Sequence, residues 1–195
     1  VQRFLDAAGE LLKEGNDGDF TVQQVVERSG QSLRSFYQYF GGKHELLLAL
    51  FEESIVAAAT DLSDGLPDSE PIDRLRSFVV GYYRLCRPVW KHSRGTNSSH
   101  VMVEFAQRLL TEMPTEAARA FTPLVELLEE LLADAMESGV LRDDLDPAMV
   151  TGTVLEVVMF QAFAATIGGF PLSDDVEADA EALWSIVSNG IAAQA

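Results

Sequence analysis

The chain has 195 residues, 47 % of them hydrophobic and 23 % charged, with a formal net charge of −17. That is length for one or two domains and enough apolar material for a packed core. Cys86 is the only cysteine, which excludes an intramolecular disulfide, argues against a cysteine-based zinc site and fits a reducing cytoplasm.

No apolar run approaches the roughly 18–20 residues needed to cross a bilayer. The most apolar stretch, 148–170, is broken by Thr151, Gly152, Glu156, Gln161 and Thr166. The first residues carry no export signal, and because the sequence opens on Val1 a short preceding arm is expected. His44, His92 and His100 lack the close spacing of metal ligands and read as ordinary surface or core histidines, so no metal and no cofactor is expected.

In chain order, helical periodicity dominates and strand alternation is absent. A first helix is predicted from Val1 to Glu14, with Phe4, Leu5, Ala8, Leu11 and Leu12 on its apolar face, stopped by Gly15 and the polar run to Asp19. Thr21 followed by Gln24 is a capping-box pattern, and Val22, Val25 and Val26 form the buried side of the helix it starts. The run 29–32 is a tight turn, with Gly30 at the end of one helix and Ser32 able to cap the next. A short helix is predicted from Leu33 to Phe40, ended by Gly41-Gly42, and a long one from Lys43 to Leu62. The turn-rich run 63–68 follows, and the domain hinge is placed in the long helix before it. Further helices are predicted over 71–91, 98–112, 115–138, 147–168 and 173–193. Asp146-Pro147 supplies a cap plus a first-position proline, and Ser173-Asp174-Asp175 supplies acid at a helix start. The expected fold is all-α, with about nine helices.

Helix, glycine-containing turn, helix is the helix-turn-helix pattern. Phe36 and Phe40 are placed to anchor the second helix, which turns Arg34, Ser35 and Gln38 outward. Arginine suits guanine edges, glutamine suits adenine, and serine accepts either. Leu33 reads as core or as a contact to a thymine methyl. Tyr37 and Tyr39 suit phosphates at the margins. Lys43, and Thr21 at its own helix start, lie where free backbone N–H groups favour an anion. The alternative is a plain helical subdomain with a polar surface. The charge distribution favours DNA despite the total: residues 1–60 carry 5 basic and 9 acidic side chains, residues 61–195 carry 9 and 22, and no acid lies between Ser29 and Lys43.

The stretch FTVQQVVERSGQSLRSFYQYFGGKHELLLALFEE resembles the N-terminal DNA-binding domain of the TetR family of bacterial transcriptional regulators, over about residues 1–55. The residues that carry the likeness are Thr21, Ser32, Phe36, Tyr37, Tyr39, Phe40, Lys43 and Glu45-Leu46-Leu47. Phe36 stands where Leu or Ile is commoner, and Arg34-Ser35 where Gly-Thr is frequent, which points to an individual operator preference. The resemblance implies phosphate contacts by Thr21, Tyr37, Tyr39 and Lys43 and base contacts by Leu33, Arg34, Ser35 and Gln38. It implies a DNA-binding domain over 1–50 and an effector-binding and dimerisation domain over 51–195. It also implies double-stranded operator DNA, a small-molecule effector and a second copy of the chain as partners, with no membrane partner. Repression, relieved by the effector, is the family's common mode.

Under that resemblance, the two last helices are expected to form a four-helix dimer interface through Val158, Ala162, Ala165, Val176, Ala180, Leu183, Trp184, Val187 and Ile191, the alternative being an internal core. An effector pocket is expected among Tyr82, Tyr83, Cys86, Trp90, Met102, Phe105, Phe121, Met136, Met159, Phe160 and Phe163, an aromatic and methionine-rich set that core packing would also explain. Six of the nine basic residues after position 60 are Arg74, Arg76, Arg84, Arg87, Lys91 and Arg94. They read either as a solvated face paired with acids or as a site for the charge of an acyl-thioester-like effector at Arg84, Arg87, Lys91 or His92. None of the nucleophile, phosphate-loop, dinucleotide or zinc-protease motifs is present, so an enzyme is not expected. The remaining alternative is a helical interaction module that no longer binds DNA.

Overall fold

The computed structural model describes residues 1–14, 20–86, 98–168 and 175–193, with the backbone alone described for 98–103, 162, 163 and 165–168. Among them run nine helices: α1 Gln2–Glu14, α2 Val22–Ser29, α3 Leu33–Tyr39, α4 Lys43–Asp64, α5 Pro71–Cys86, α6 Ser98–Glu112, α7 Pro114–Glu137, α8 Pro147–Gly168 and α9 Val176–Ile191. The predicted all-α class holds, and no strand occurs among the described residues. One isolated bridge joins Leu141 to Ala192.

The chain divides into two compact units, Val1–Ser54 with Val89–Ala120, and Ile55–Pro88 with Phe121–Ala195. Of the three divisions, one falls inside α4 and one inside α7. In α7 the break lies beside Pro123. A proline there cannot donate the helical hydrogen bond to the carbonyl four residues back, and its ring crowds that turn.

In the first unit α1 packs on α2 and α6, and α2 on α3. Phe4, Phe36, Val25, Ala8 and Leu46 are almost fully removed from solvent. Phe4 meets Phe36 edge-on at 5.4 Å and Phe40 at 6.2 Å between ring centroids, the arrangement aromatic quadrupoles favour. α6 belongs here: its Phe105 lies 5.4 Å from the His44 ring and 6.1 Å from Phe51. On the surface Arg28 grips Glu14 through both guanidinium nitrogens, at 3.0 and 2.7 Å, and reaches Glu10 at 3.3 Å. The hydrogen bonds from Arg28 hold the Glu14 carboxyl below its usual range.

In the second unit α5 packs against both α8 and α9, which explains why Leu75, Phe78, Val79, Val80, Tyr82 and Tyr83 are all buried on one short helix. Gly81 marks a close approach to α4: a β-carbon there would stand 2.7 Å from Cδ2 of Leu62. Leu124, Leu128, Leu131, Leu132 and Ala135 of α7 are almost fully buried. The end of α9 is tied back by backbone pairs Arg142–Ile191 at 2.9 Å and Ala193–Val140 at 3.0 Å. The Arg142 guanidinium also donates to the Gly190 carbonyl at 3.3 Å. Cations near a helix C-terminus satisfy carbonyls that the helix leaves unpaired.

Several predicted boundaries move by one to three residues, two of them with a clear local cause. α9 is capped by Asp175, whose carboxylate accepts the Ala178 N–H at 3.0 Å, rather than starting at Ser173. α3 ends at Tyr39, with Phe40 already extended at φ −132° and buried as its cap.

Candidate functional site

The geometry of α2, its turn and α3 is set by local chemistry. Thr21 is the N-cap of α2. Its hydroxyl oxygen accepts the Gln24 N–H at 3.2 Å while the Gln24 side-chain oxygen accepts the Thr21 N–H at 2.8 Å. Gly30 closes α2 at φ +65°, a left-handed conformation that favours glycine. The Gln31 N–H then reaches the Val26 carbonyl at 3.3 Å. Ser32 caps α3 by accepting the Ser35 N–H at 3.0 Å. These bonds fix the turn, so the direction of α3 follows from four residue types at set spacings.

Phe36 is wholly buried and Phe40 nearly so, holding α3 to α1. The opposite side is open. Arg34 and Gln38 are exposed, Ser35 is half-buried, and Tyr37 and Tyr39 are 57 % and 55 % exposed. Leu33 is 43 % exposed, so its core reading gives way to a surface one. The Tyr37 ring rests edge-on against Phe36 at 5.4 Å, which restrains a side chain otherwise in solvent.

Two residues at the end of this surface were given no structural role in the sequence analysis. Phe20 is buried, and the Lys43 Nζ lies 4.6 Å from its ring centroid, a cation–π contact that restrains the ammonium. Glu45 turns back so that its carboxylate accepts the Gly41 N–H at 2.7 Å. A β-carbon at Gly41 would stand 2.7 Å from the same carboxylate. The signal for Glu45 was present: a Glu three residues after Gly42 is where a first-turn acid reaches back over a helix start.

The candidate residues in the rest of the chain separate. Tyr82, Tyr83 and Phe121 are buried in the second unit, and Cys86 and Met159 are partly buried there. Phe105 is not with them. It sits in the first unit against His44 and Phe51, because α6 packs on α1. Phe160 is 71 % exposed and lines no interior. Trp90 lies outside the described residues, as do the side chains of Met102 and Phe163.

Three of the six clustered basic residues are engaged inside the second unit. Arg74 binds Asp134 at 2.7 Å, Arg76 binds Glu181 in a two-pronged pair with its Nε at 3.1 Å, and Arg84 binds Glu177 likewise with its Nε at 2.9 Å. The solvated, acid-paired reading therefore holds for these three, and Arg84 is not free for an anionic effector. Arg87, Lys91, His92 and Arg94 lie outside the described residues.

Burial pushes the Cys86 thiol up to about 11, opposed in part by the Tyr82 hydroxyl. At pH 8 such a thiol is ~0.1 % thiolate, against roughly a quarter for an ordinary one. The greater nucleophilicity of a high-pKa thiolate recovers part of that loss, so reaction with DTNB is expected to be roughly ten- to twentyfold slower than for a peptide cysteine. A rate equal to that of the peptide would contradict the buried state.

The expected dimer residues also divide. Val158, Ala180, Leu183 and Ile191 are buried within the chain and face its own core. Val176, Trp184 and Val187 are partly buried, and the side chains of Ala162 and Ala165 are outside the described set. The apolar surface left exposed on α8 and α9 is a different set: Met149 at 61 %, Val157 at 41 %, Phe160 at 71 % and Ile186 at 73 %.

A helix-turn-helix head on a larger helical chain, with an uncovered polar face on its second helix, defines a DNA-binding transcriptional regulator. Residues 4–50 match the family model of the tetR family of bacterial regulatory proteins. Regulators of this family bind operator DNA as dimers. The chain is 20 % identical over 164 residues to the fatty acid metabolism regulator protein of Bacillus subtilis, covering 80 % of each. Its fold is similar to that of FadR from Bacillus subtilis solved in complex with stearoyl-CoA, with a TM-score of 0.74, 16 % identity and coverage of 97 % of this chain and 98 % of the other. It is also similar to the ketosteroid regulator KstR2 of Mycobacterium tuberculosis, with a TM-score of 0.56, 20 % identity and coverage of 100 % and 96 %. No helix among the described residues is long and apolar enough to cross a membrane.

Proposed function

We propose that the chain is a cytoplasmic repressor that reads a palindromic operator as a homodimer and is released by a small hydrophobic effector. The observation that carries the DNA-reading part is the exposed face of α3, directed by the Thr21, Gly30 and Ser32 caps and free of acidic side chains. Arg34, Ser35, Gln38 and Leu33 meet base edges; Tyr37, Tyr39, Lys43 and Thr21 meet phosphates. A chain at −17 has a weak long-range attraction for DNA, so affinity rests on these close contacts and falls with salt.

Residues 1–50 are assigned the DNA-reading role. Effector binding and dimerisation go to the region beyond, 51–195, carried mainly by α5, α7, α8 and α9. The two copies meet through Met149, Val157, Phe160 and Ile186, the large apolar side chains left exposed on the described parts of α8 and α9. The effector class is supported by the relatives, one named for fatty acid metabolism, one holding stearoyl-CoA and one named for ketosteroids. All three point to a large apolar molecule, and the buried aromatic side chains of α5 suit one. An effector that binds better to dimers whose heads are wrongly spaced lowers DNA affinity by the same factor.

The test is an electrophoretic shift on the DNA upstream of the protein's own gene, with a salt titration. Arg34→Ala is expected to lower operator affinity by ~1–3 kcal/mol and to narrow the gap between operator and random DNA. Unchanged operator affinity would remove the base-reading role of Arg34. No binding to any DNA would favour an interaction module instead.

A further inference from the structure

Among the described residues of the second unit, two hydroxyls are buried without a hydrogen-bond partner, those of Tyr82 and Thr151. They differ in what they can do about it. A helical threonine can rotate its hydroxyl toward the carbonyl four residues back on its own helix. A tyrosine hydroxyl stands at the far end of a rigid ring and cannot reach its own backbone. Tyr82 is 3 % exposed, so bulk solvent does not reach it, and its ring is stacked on Phe78 with 6.0 Å between centroids. Its polar neighbour is the Cys86 thiol one turn on, near enough for each to shift the other's titration but outside hydrogen-bond geometry, and a thiol is in any case a weak donor and a weak acceptor. A buried polar group left in this state destabilises the fold it belongs to. That penalty is relieved if a bound molecule supplies the missing acceptor.

The surroundings limit what that molecule can be. The buried described residues of this unit are apolar apart from Thr151 and the tyrosine hydroxyls, and none is charged. Arg74, Arg76 and Arg84 are committed to carboxylates at the surface. Among the described residues, an anionic group carried inside would have no cation to meet, which is strongly unfavourable. Burial also raises the Tyr82 hydroxyl well above its ordinary range, so it keeps its proton and acts as a donor.

We propose that the Tyr82 hydroxyl recognises the effector by donating a hydrogen bond to a neutral carbonyl oxygen carried on an apolar molecule. This rests on the effector-binding role proposed above for the second unit. An acyl thioester and a steroid ketone both present such an oxygen, and a charged headgroup on either would stay at the surface.

The experiment measures release of fluorescent operator DNA by two pairs of probes. One pair is stearoyl-CoA and its S-octadecyl thioether, in which a methylene replaces the carbonyl. The other is cholest-4-en-3-one and its 3-deoxy analogue. For one pair the carbonyl compound is expected to release DNA from the wild-type protein at a concentration about three- to tenfold lower than its carbonyl-free partner, the worth of one neutral hydrogen bond. Which pair does so identifies the source of the carbonyl. Tyr82→Phe is expected to abolish that ratio and, having lost an unpaired buried group, to melt no lower than wild type. A purely structural tyrosine would leave the ratio unchanged in Tyr82→Phe, and that result overturns the proposal, as does release without discrimination in the wild type. If none of the four probes releases DNA, the hydrophobic-effector reading falls, and this proposal falls with it.

Discussion

Phe36→Ala is expected to destabilise the first unit by about 3–5 kcal/mol, the range for truncating a fully buried phenylalanine. The side chain has no exposure at all, and its ring centroid lies 5.4 Å from those of Phe4, Phe40 and Tyr37 alike. The loss is a large share of the ~5–15 kcal/mol that holds an ordinary domain together. Phe36 also sits on α3 itself, between the reading face and α1. Its removal therefore loosens the helix that carries Arg34 and Gln38, and operator binding is expected to fall by more than the loss of any one base contact. The check is a urea melt followed by circular dichroism, together with the operator shift. Phe36→Leu, which restores most of the volume, should recover most of both. A melt and an affinity both indistinguishable from wild type would show that α3 is held by something other than this aromatic cluster.

The second large effect concerns association. Phe160→Glu with Ile186→Glu is expected to convert the homodimer to monomer, because each places a charge in the centre of the surface assigned to the partner copy. Central aromatic anchors commonly contribute ~2 kcal/mol or more each, and a carboxylate in their place adds its own desolvation. A monomer reads one half-site only. Losing the linked second head is expected to weaken operator binding by roughly 100- to 10,000-fold. Both residues are more than 70 % exposed in the single chain, so the melt of the monomer should change little. Val158→Ala makes the contrast: that residue is 1 % exposed, and its change should lower stability and leave association alone. Sedimentation separates the two. A double variant that still sediments as a dimer would place the interface elsewhere.

The helix-turn-helix head was readable from the chain because its instructions are local. Thr21 with Gln24, Gly30, and Ser32 each act on backbone groups within four residues, and the structure forms every one of those bonds. The phenylalanine spacing likewise told which side of α3 would be buried. Leu33 was ambiguous because it lies at the edge of that face, where periodicity does not decide. Phe20 beneath Lys43 lies twenty-three positions away in sequence, and no helical period connects the two.

The later helices were harder for a definite reason. α8 is apolar on most of its circumference, so its pattern does not say which side meets α5 and which is left bare. Val158 therefore read as interface and proved to be core, while Phe160 read as a pocket residue and proved to be surface. The basic cluster had the same difficulty. Arg76 and Arg84 find their carboxylates 105 and 93 residues away on α9, a pairing that only the packing of α5 on α9 creates.

The chain by itself thus determined the helical layout seen among the described residues, the caps at Thr21, Gly30 and Ser32 and the outward face of α3, because propensity, capping and amphipathic spacing act over one or two turns. Only the tertiary structure decided that α6 joins the reading head, that α5 lies between α8 and α9, and that the Tyr82 hydroxyl is enclosed without a partner. Those are outcomes of side-chain packing between segments far apart in sequence, where the free energy depends on which surfaces meet and not on the order in which they are written.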